Sequence, residues 1–215
     1  DTFIGSEILR RIEAVMPDRM LCLPTLWLGA SSHHMDFPGT VSASTSTLRT
    51  VLRDVVASMY QHGFRKMLLL NSHGGNRALL AAAVQDFGVE FAGMQIVGAT
   101  YWDVAREALS ELRETFFGGI GHACELETSL MLAMRPELVD EARAEADGMM
   151  SGSEFSRGEM VAAPSVAVYK TFKKTTRNGT FGDPTRASAR KGEAMLSAVT
   201  ARMVALCSDV LADRV

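Results

Sequence analysis

The sequence predicts an α/β fold with a mostly parallel central sheet. Two observations carry this. Short, continuous apolar runs suited to strands covered on both faces alternate with longer segments whose apolar residues recur at helical spacing. The chain of 215 residues, 47% hydrophobic and 22% charged, is also long enough for one α/β domain with a sizeable core. Strands alternating with helices imply right-handed βαβ units, and no linker divides the chain.

The elements follow in order. Segment 2–16 places Ile4, Ile8, Ile12 and Val15 on one helical face and is stopped by Pro17-Asp18. Residues 20–28 are apolar and short, as in a buried strand, with Pro24 pointing to an irregular or edge position. Residues 29–46 are polar and small, and read as a long functional loop. A helix is expected over 47–62, with Leu48, Val51, Leu52, Val55, Val56 and Met59 as its stripe and Gly63 beyond its end. Strand 66–71, helix 77–87, strand 94–101, helix 102–115 and helix 125–134 come next. Then come a loop over 147–164, a final strand over 165–169 and a terminal helix over 187–212.

The net charge of −3 gives no reason to expect nucleic acid or an anionic membrane as partner. No stretch approaches the length needed to span a bilayer. Three well-separated cysteines, Cys22, Cys124 and Cys207, supply no disulfide framework and fit a reducing cytoplasm. The one tight basic run, Lys170–Arg177, reads first as a solvated loop.

Ligands of parallel sheets bind beyond the carboxyl ends of the strands, which directs attention to three stretches. In Asn71-Ser72-His73-Gly74-Gly75-Asn76 a strand delivers His73 into a turn. Gly74 and Gly75 there allow positive φ and close approach of the backbone to a ligand. An imidazole in that place suits Zn²⁺ or a similar ion. A capping histidine in a tight turn is the alternative, and a phosphate cradle is a third reading that lacks the P-loop lysine. In Gly121-His122-Ala123-Cys124-Glu125-Leu126-Glu127, His122 and Glu125 lie one turn apart and are read as facing one cleft. Glu127 is read as a first-turn acid that favours the helix dipole, and Cys124 as a small buried hydrophobe. In Ser31-Ser32-His33-His34-Met35-Asp36-Phe37-Pro38-Gly39-Thr40, His34 is the functional candidate and His33 a structural or solvated one.

Together the His-Met-Asp-Phe-Pro-Gly-Thr loop, the strand-borne Asn-Ser-His-Gly-Gly-Asn, Tyr101-Trp102-Asp103 and the HACELETSLML stretch resemble the creatininase family in order and spacing. The resemblance implies a three-layer α/β/α sandwich, a homo-oligomer (often a hexamer), and two divalent ions such as Zn²⁺, Mn²⁺ or Fe²⁺. It implies hydrolysis of a C–N amide-type bond in a small-molecule substrate by metal-activated water. By the same resemblance Asp1 is the carboxylate bridging two metals and His73 a ligand to one of them. His122 is the proton-transfer histidine, and Trp102 a pocket wall, against the alternative of a core tryptophan. The family's preceding strand and Glu-x-His segment are expected upstream of Asp1, so the chain reads as one domain over 1–215 lacking that unit. Creatinine-hydrolysing members carry a glutamate where this chain has Gly75, and Glu125 is expected to supply the missing carboxylate. They also carry a tryptophan where Gly118-Gly119 stand, which argues against creatinine as substrate. Formamides, cyclic amides and short peptides remain, and the basic loop would suit an anionic substrate if it folds over the pocket. A non-catalytic domain of the same fold and a phosphate-binding transferase are the rival readings.

Overall fold

The structure is a computed structural model that describes residues 1–148 and 153–215. It comprises two compact units, one of residues 1–32, 41–104 and 202–215, the other of residues 33–40 and 105–201. Both are assembled from discontinuous stretches, so no change of composition along the sequence marks a boundary between them. The predicted loop over 147–164 includes residues 149–152, which lie outside the described residues.

The first unit is organised by a parallel pair of strands, β1 (Lys66–Asn71) and β2 (Gln95–Thr100), in register from Lys66↔Gln95 to Asn71↔Thr100. The connection between them contains helix α3 (Arg77–Glu90). Leu69, Leu80, Ala83, Phe87 and Ile96 join Val56, Phe91 and Met94 in one buried cluster. The helix–strand approach depends on Gly98, where a Cβ would come within 2.8 Å of Val84 and 2.9 Å of Leu80. Two more helices belong to this unit, α1 (Thr2–Val15), which buries Ile4, Ile8 and Ile12, and α2 (Thr45–Gln61).

The limits of α2 are set by its flanking residues. Ser44 caps it by accepting from the Thr47 N–H at 3.1 Å. At the other end Gly63 has φ +91°, the Phe64 N–H reaches the Met59 carbonyl, and the Gly63 N–H reaches that of Tyr60. This is the Schellman pattern, and it needs the conformation glycine adopts freely.

Residues 20–28 do not form the predicted strand. They and β1 both line a cavity of about 940 Å³, and the segment joins no ladder in either described sheet. Leu21 and Trp27 are exposed. An apolar run without a neighbouring strand has no partner for its backbone, and Pro24 has no N–H to offer.

In the second unit, β3 (Ile120–His122) pairs antiparallel with β4 (Phe181–Gly182), with a register irregularity between Ile120 and His122. Helices α5 (Arg106–Leu112), following a single turn α4 (Tyr101–Val104) of the first unit, and α6 (Glu125–Met134) match predicted helices, although the predicted 102–115 helix is broken at Ala105. The predicted strand at 165–169 is absent. Its apolar residues Val166, Val168 and Tyr169 are exposed, so they face no sheet.

The terminal helix α7 (Ala189–Leu211) is, among the described residues, the one helix with the length and mean hydropathy of a membrane span, contrary to the expectation that no stretch reaches this. Its periodic burial gives it a core role: Met195, Leu196, Val199, Met203 and Val210 are buried and Lys191 makes an enclosed ion pair. Gly192 on α7 lies so close to α6 that a Cβ would stand 1.8 Å from the Ser129 carbonyl oxygen.

Candidate active site

Two groups of polar side chains stand at strand ends, one in each unit. In the first unit the end of β1 is fixed by Asn71, which is buried. Its amide donates to the Thr100 hydroxyl at 3.1 Å, while its carbonyl oxygen accepts from the His73 N–H at 3.0 Å. This directs the His73 imidazole into a close setting. Nδ1 lies 3.0 Å from the Asp1 carboxylate. Nε2 lies 3.2 Å from both the Ser31 hydroxyl and the Ala30 carbonyl. The first turn of α1 is anchored there as well, because the Ser72 hydroxyl donates to the Asp1 carbonyl. Asn76 completes the turn by accepting from the Ala30 N–H.

Neither Gly74 nor Gly75 adopts positive φ. Both lie in a short 3₁₀ turn, and a Cβ at Gly74 would meet open space. The expected positive-φ turn is therefore corrected, and the accessibility of the backbone at Gly74 stands.

Trp102 is 2% exposed. It packs edge-on against Tyr101 with ring centroids 4.9 Å apart. The pocket-wall role expected of it is corrected, since an enclosed indole has no face left for a flat substrate. Asp103, next to it, pairs with Arg77 at 2.8 Å and ties the end of β2 to the start of α3.

In the second unit His122 ends β3 with its side chain partly accessible. Its ring lies 4.4 Å from that of His34 and 5.0 Å from that of Phe172, the latter edge-on. Phe172 also approaches His34 at 4.1 Å, and His33 stacks on His34 at 4.2 Å. The paired histidines of the 33–40 loop and the basic 170–177 segment thus meet at His122. Sequence reading found His34 and His122 but missed Phe172, which carried no signal beyond its place in a basic run.

Of the two glutamates after His122, Glu125 is enclosed among donors and Glu127, the expected first-turn acid, also faces the histidine. Glu125 is fully buried. One of its oxygens accepts from Lys191 Nζ at 2.7 Å and from the Glu114 N–H at 2.8 Å. The other accepts from the Thr115 N–H at 2.9 Å and the Thr115 hydroxyl at 2.6 Å. Burial opposes its ionisation, but the hydrogen bonds from Lys191, Thr115 and the two amides prevail and hold the carboxyl below its ordinary value. A carboxylate with four donors in place and no exposure has no lone pair facing a metal. The expected ligand role of Glu125 is corrected on that ground.

Glu127 instead faces the histidine. Its Oε2 accepts from the Ala123 N–H at 2.6 Å and lies 3.9 Å from His122 Nδ1. The turn that brings it there runs through Ala123 at φ +47°, a left-handed conformation uncommon for a residue with a side chain. Burial pushes the Cys124 thiol up to about 12, with the Glu127 charge adding to the effect, so it stays protonated and is no nucleophile.

Among the described residues no three His, Cys, Asp or Glu side chains converge as a ready metal cage. The Asp1–His73 pair supplies one oxygen and one nitrogen donor, a set that suits Zn²⁺ or Mn²⁺.

In the first unit an imidazole–carboxylate pair stands at the carboxyl end of β1, where ligands of parallel sheets bind. The chain belongs to the creatininase family, described as creatinine amidohydrolase, whose profile matches residues 1–207. It is 31% identical over 156 residues to the creatinine amidohydrolase of Pseudomonas putida, a match covering 65% of this chain and 56% of that protein. It is 28% identical over 205 residues to the mycofactocin precursor peptide peptidase of Mycobacterium ulcerans, covering 89% of this chain and 70% of that protein. The chain thus spans little more than half the length of the first relative. A solved creatinine amidohydrolase superposes with a TM-score of 0.76 at 25% identity, over 96% of this chain and 80% of that one. Creatininase structures of Zn–Zn and Mn type are similar at TM-scores of 0.74 and 0.75, each at 25% identity and over 96% of this chain and 81% of theirs. The α/β class predicted from the sequence is the one these structures share.

Proposed function

We propose that the chain is a metal-dependent amidohydrolase that cleaves a C–N amide-type bond in a small cyclic amide, formamide or short peptide. The observation that carries this reading is the 3.0 Å approach of the Asp1 carboxylate to His73 Nδ1 at the end of β1. Relatives named for the hydrolysis of creatinine and of a precursor peptide support it, as do creatininase structures of Zn–Zn and Mn type. Asp1 and His73 would hold a divalent ion (Zn²⁺, Mn²⁺ or Fe²⁺), as part of a two-metal site. When bound, such an ion would supply water activation and carbonyl polarisation.

The remaining roles belong to the chain's own side chains. By the family resemblance His122 would be the residue that carries a proton to the leaving nitrogen, for which imidazole is suited near neutral pH. Glu127 faces Nδ1 and favours the tautomer with its proton there. That leaves Nε2 to exchange a proton with substrate. Gly74 presents open backbone, and His34 and Phe172 bound the space over the His122 ring. Buried, protonated Cys124 and the absence of a strong charge bias fit a cytoplasmic enzyme. A homo-oligomer, by family a hexamer, is the assembly expected.

The test is metal content by mass spectrometry, then a panel of creatinine, formamidopyrimidines and short peptides, with Asp1→Asn and His73→Ala alongside. Metal bound by the parent protein, lost from either variant and required for hydrolysis is the expected result. A protein that takes up no Zn²⁺ or Mn²⁺, or that hydrolyses no amide, overturns the proposal.

A further inference from the structure

The turn Phe172–Lys174 packs its phenylalanine against both His34 and His122, whose rings also touch each other. Two lysines of that turn, Lys173 and Lys174, follow this partly buried ring directly. Lys173 Nζ sits over the Phe37 ring, 5.3 Å from its centroid, and donates to the Arg177 carbonyl at 3.4 Å. It is thereby held against the 33–40 loop with N–H groups to spare. The acids nearby are already engaged. Asp147 accepts from the backbone N–H groups of Gly148 and Arg177 and from the Thr176 hydroxyl, and Glu145 pairs with Arg177. Among the described residues neither Lys173 nor Lys174 forms an ion pair, so the turn presents two ammonium groups beside the histidine cluster.

We propose that the Phe172–Lys174 turn is a specificity element: Lys173 and Lys174 receive an anionic group, a carboxylate or a phosphate, of a substrate whose scissile amide lies at His122. This rests on the reading of His122 as the proton-transfer residue. Phe172 anchors the turn that carries both lysines through its ring contact with His122. Lysine suits the role as a compact charge with several donors, and its attraction falls with ionic strength. A neutral amide of the same shape gains nothing from the turn.

Binding and turnover are read separately. Histidine Cε1–H signals of the full chain, metal-free and Zn²⁺-loaded, are followed during titration with N-acetylglycine, with its uncharged counterpart N-acetylglycinamide, and with inorganic phosphate. The same titrations are made on K173A/K174A and on the charge-reversed K173E. The expected result is saturable shifts of His122 and His34, with His62 unmoved, for an anionic probe. The neutral amide should bind at least tenfold more weakly. K173A/K174A should weaken anion binding about tenfold at low salt, with a smaller difference at high salt. Whichever of N-acetylglycine and phosphate binds more tightly identifies the anion. Equal binding of charged and neutral amides, or unchanged anion binding in the lysine variants, overturns the proposal. Both substitutions are at exposed positions, so folding of the variants is retained. If anions bind through the lysines but no amide is hydrolysed by the metal-loaded protein, the hydrolase reading fails and this one stands. If amides are hydrolysed without regard to charge, the reverse holds.

Discussion

Replacing Glu125 by glutamine separates a structural carboxylate from a metal ligand. The substitution keeps shape and removes charge. Each oxygen of Glu125 accepts two hydrogen bonds, one pair from Lys191 and the Glu114 N–H, the other from the Thr115 N–H and hydroxyl. An amide group can keep one oxygen, and its NH₂ then faces donors. The Thr115 hydroxyl can rotate to accept, but the Thr115 N–H cannot. Lys191, with a side chain only 8% exposed, loses its anion at 2.7 Å and retains Glu114 at 3.3 Å on the exposed side. One orphaned amide plus a half-compensated buried ammonium amounts to about 3 kcal/mol. For a chain of this size that is a fall in Tm of roughly 6–12 °C. The sign with pH follows from the depressed carboxyl: the stability it contributes is present above its ordinary value of 4.5 and is lost as pH falls through the lower folded value. The gap between parent and variant should therefore be full at pH 7 and close in acid. Thermal and urea unfolding across pH, with metal content measured on both proteins, make the assay. Metal content should be unchanged. A variant that loses one metal equivalent while keeping its Tm would refute the structural role.

Other outcomes follow from the same geometry. Gly192→Ala puts a methyl 1.8 Å from the Ser129 carbonyl oxygen, so it should cost about 3 kcal/mol or more and show as loss of soluble expression or a lowered urea midpoint. Ser44→Ala removes the cap of α2 and should cost about 1 kcal/mol in urea unfolding. Cys124, its thiol pushed up to about 12 by burial, should resist iodoacetamide at pH 8 in the native protein and react only on unfolding. The Asp147 carboxyl is held down to about 2 by the Arg177 and Gly148 amides and the Thr176 hydroxyl, and in a carbon-13 NMR titration it should remain ionised at pH values where exposed aspartates have protonated.

How far the fold could be read from the sequence depended on whether each signal was local. Strands β1 and β2, and helices α1, α2, α3, α6 and α7, are close to where periodicity and breakers placed them, because their apolar faces and the Gly63 stop are written within the elements themselves, although the Ser44 cap starts α2 two residues before the expected Thr47. The segments 20–28 and 165–169 were misread for one common reason. An apolar run looks like a strand whether or not a neighbour exists to satisfy its backbone, and that neighbour is a fact of tertiary structure. The helix expected over 102–115 broke at Ala105 without a glycine or proline to announce it.

The site was legible down to residue types and no further. His73, His34 and His122 were identifiable because a histidine at a strand end or in a polar loop is chemically conspicuous. Glu125 and Glu127 lie two positions apart on one helix, hence on different sides, and nothing in the sequence says which side meets His122. The answer depends on Ala123, whose left-handed φ of +47° turns the chain so that Glu127 closes back onto the Ala123 amide. Glutamates at helix starts are common, and alanine is among the residues least associated with that conformation. The other half of the answer lies 66 residues away in Lys191. A lysine in the first turn of an apolar helix is unremarkable until the helix packs, and once packed it requires an anion. Of the two anions within reach, Glu114 is exposed and Glu125 is the enclosed one, which takes Glu125 up as the partner of Lys191 and leaves Glu127 as the carboxylate facing the histidine. The division of labour between two neighbouring glutamates is therefore set by the distant cation that desolvation leaves in want of a partner.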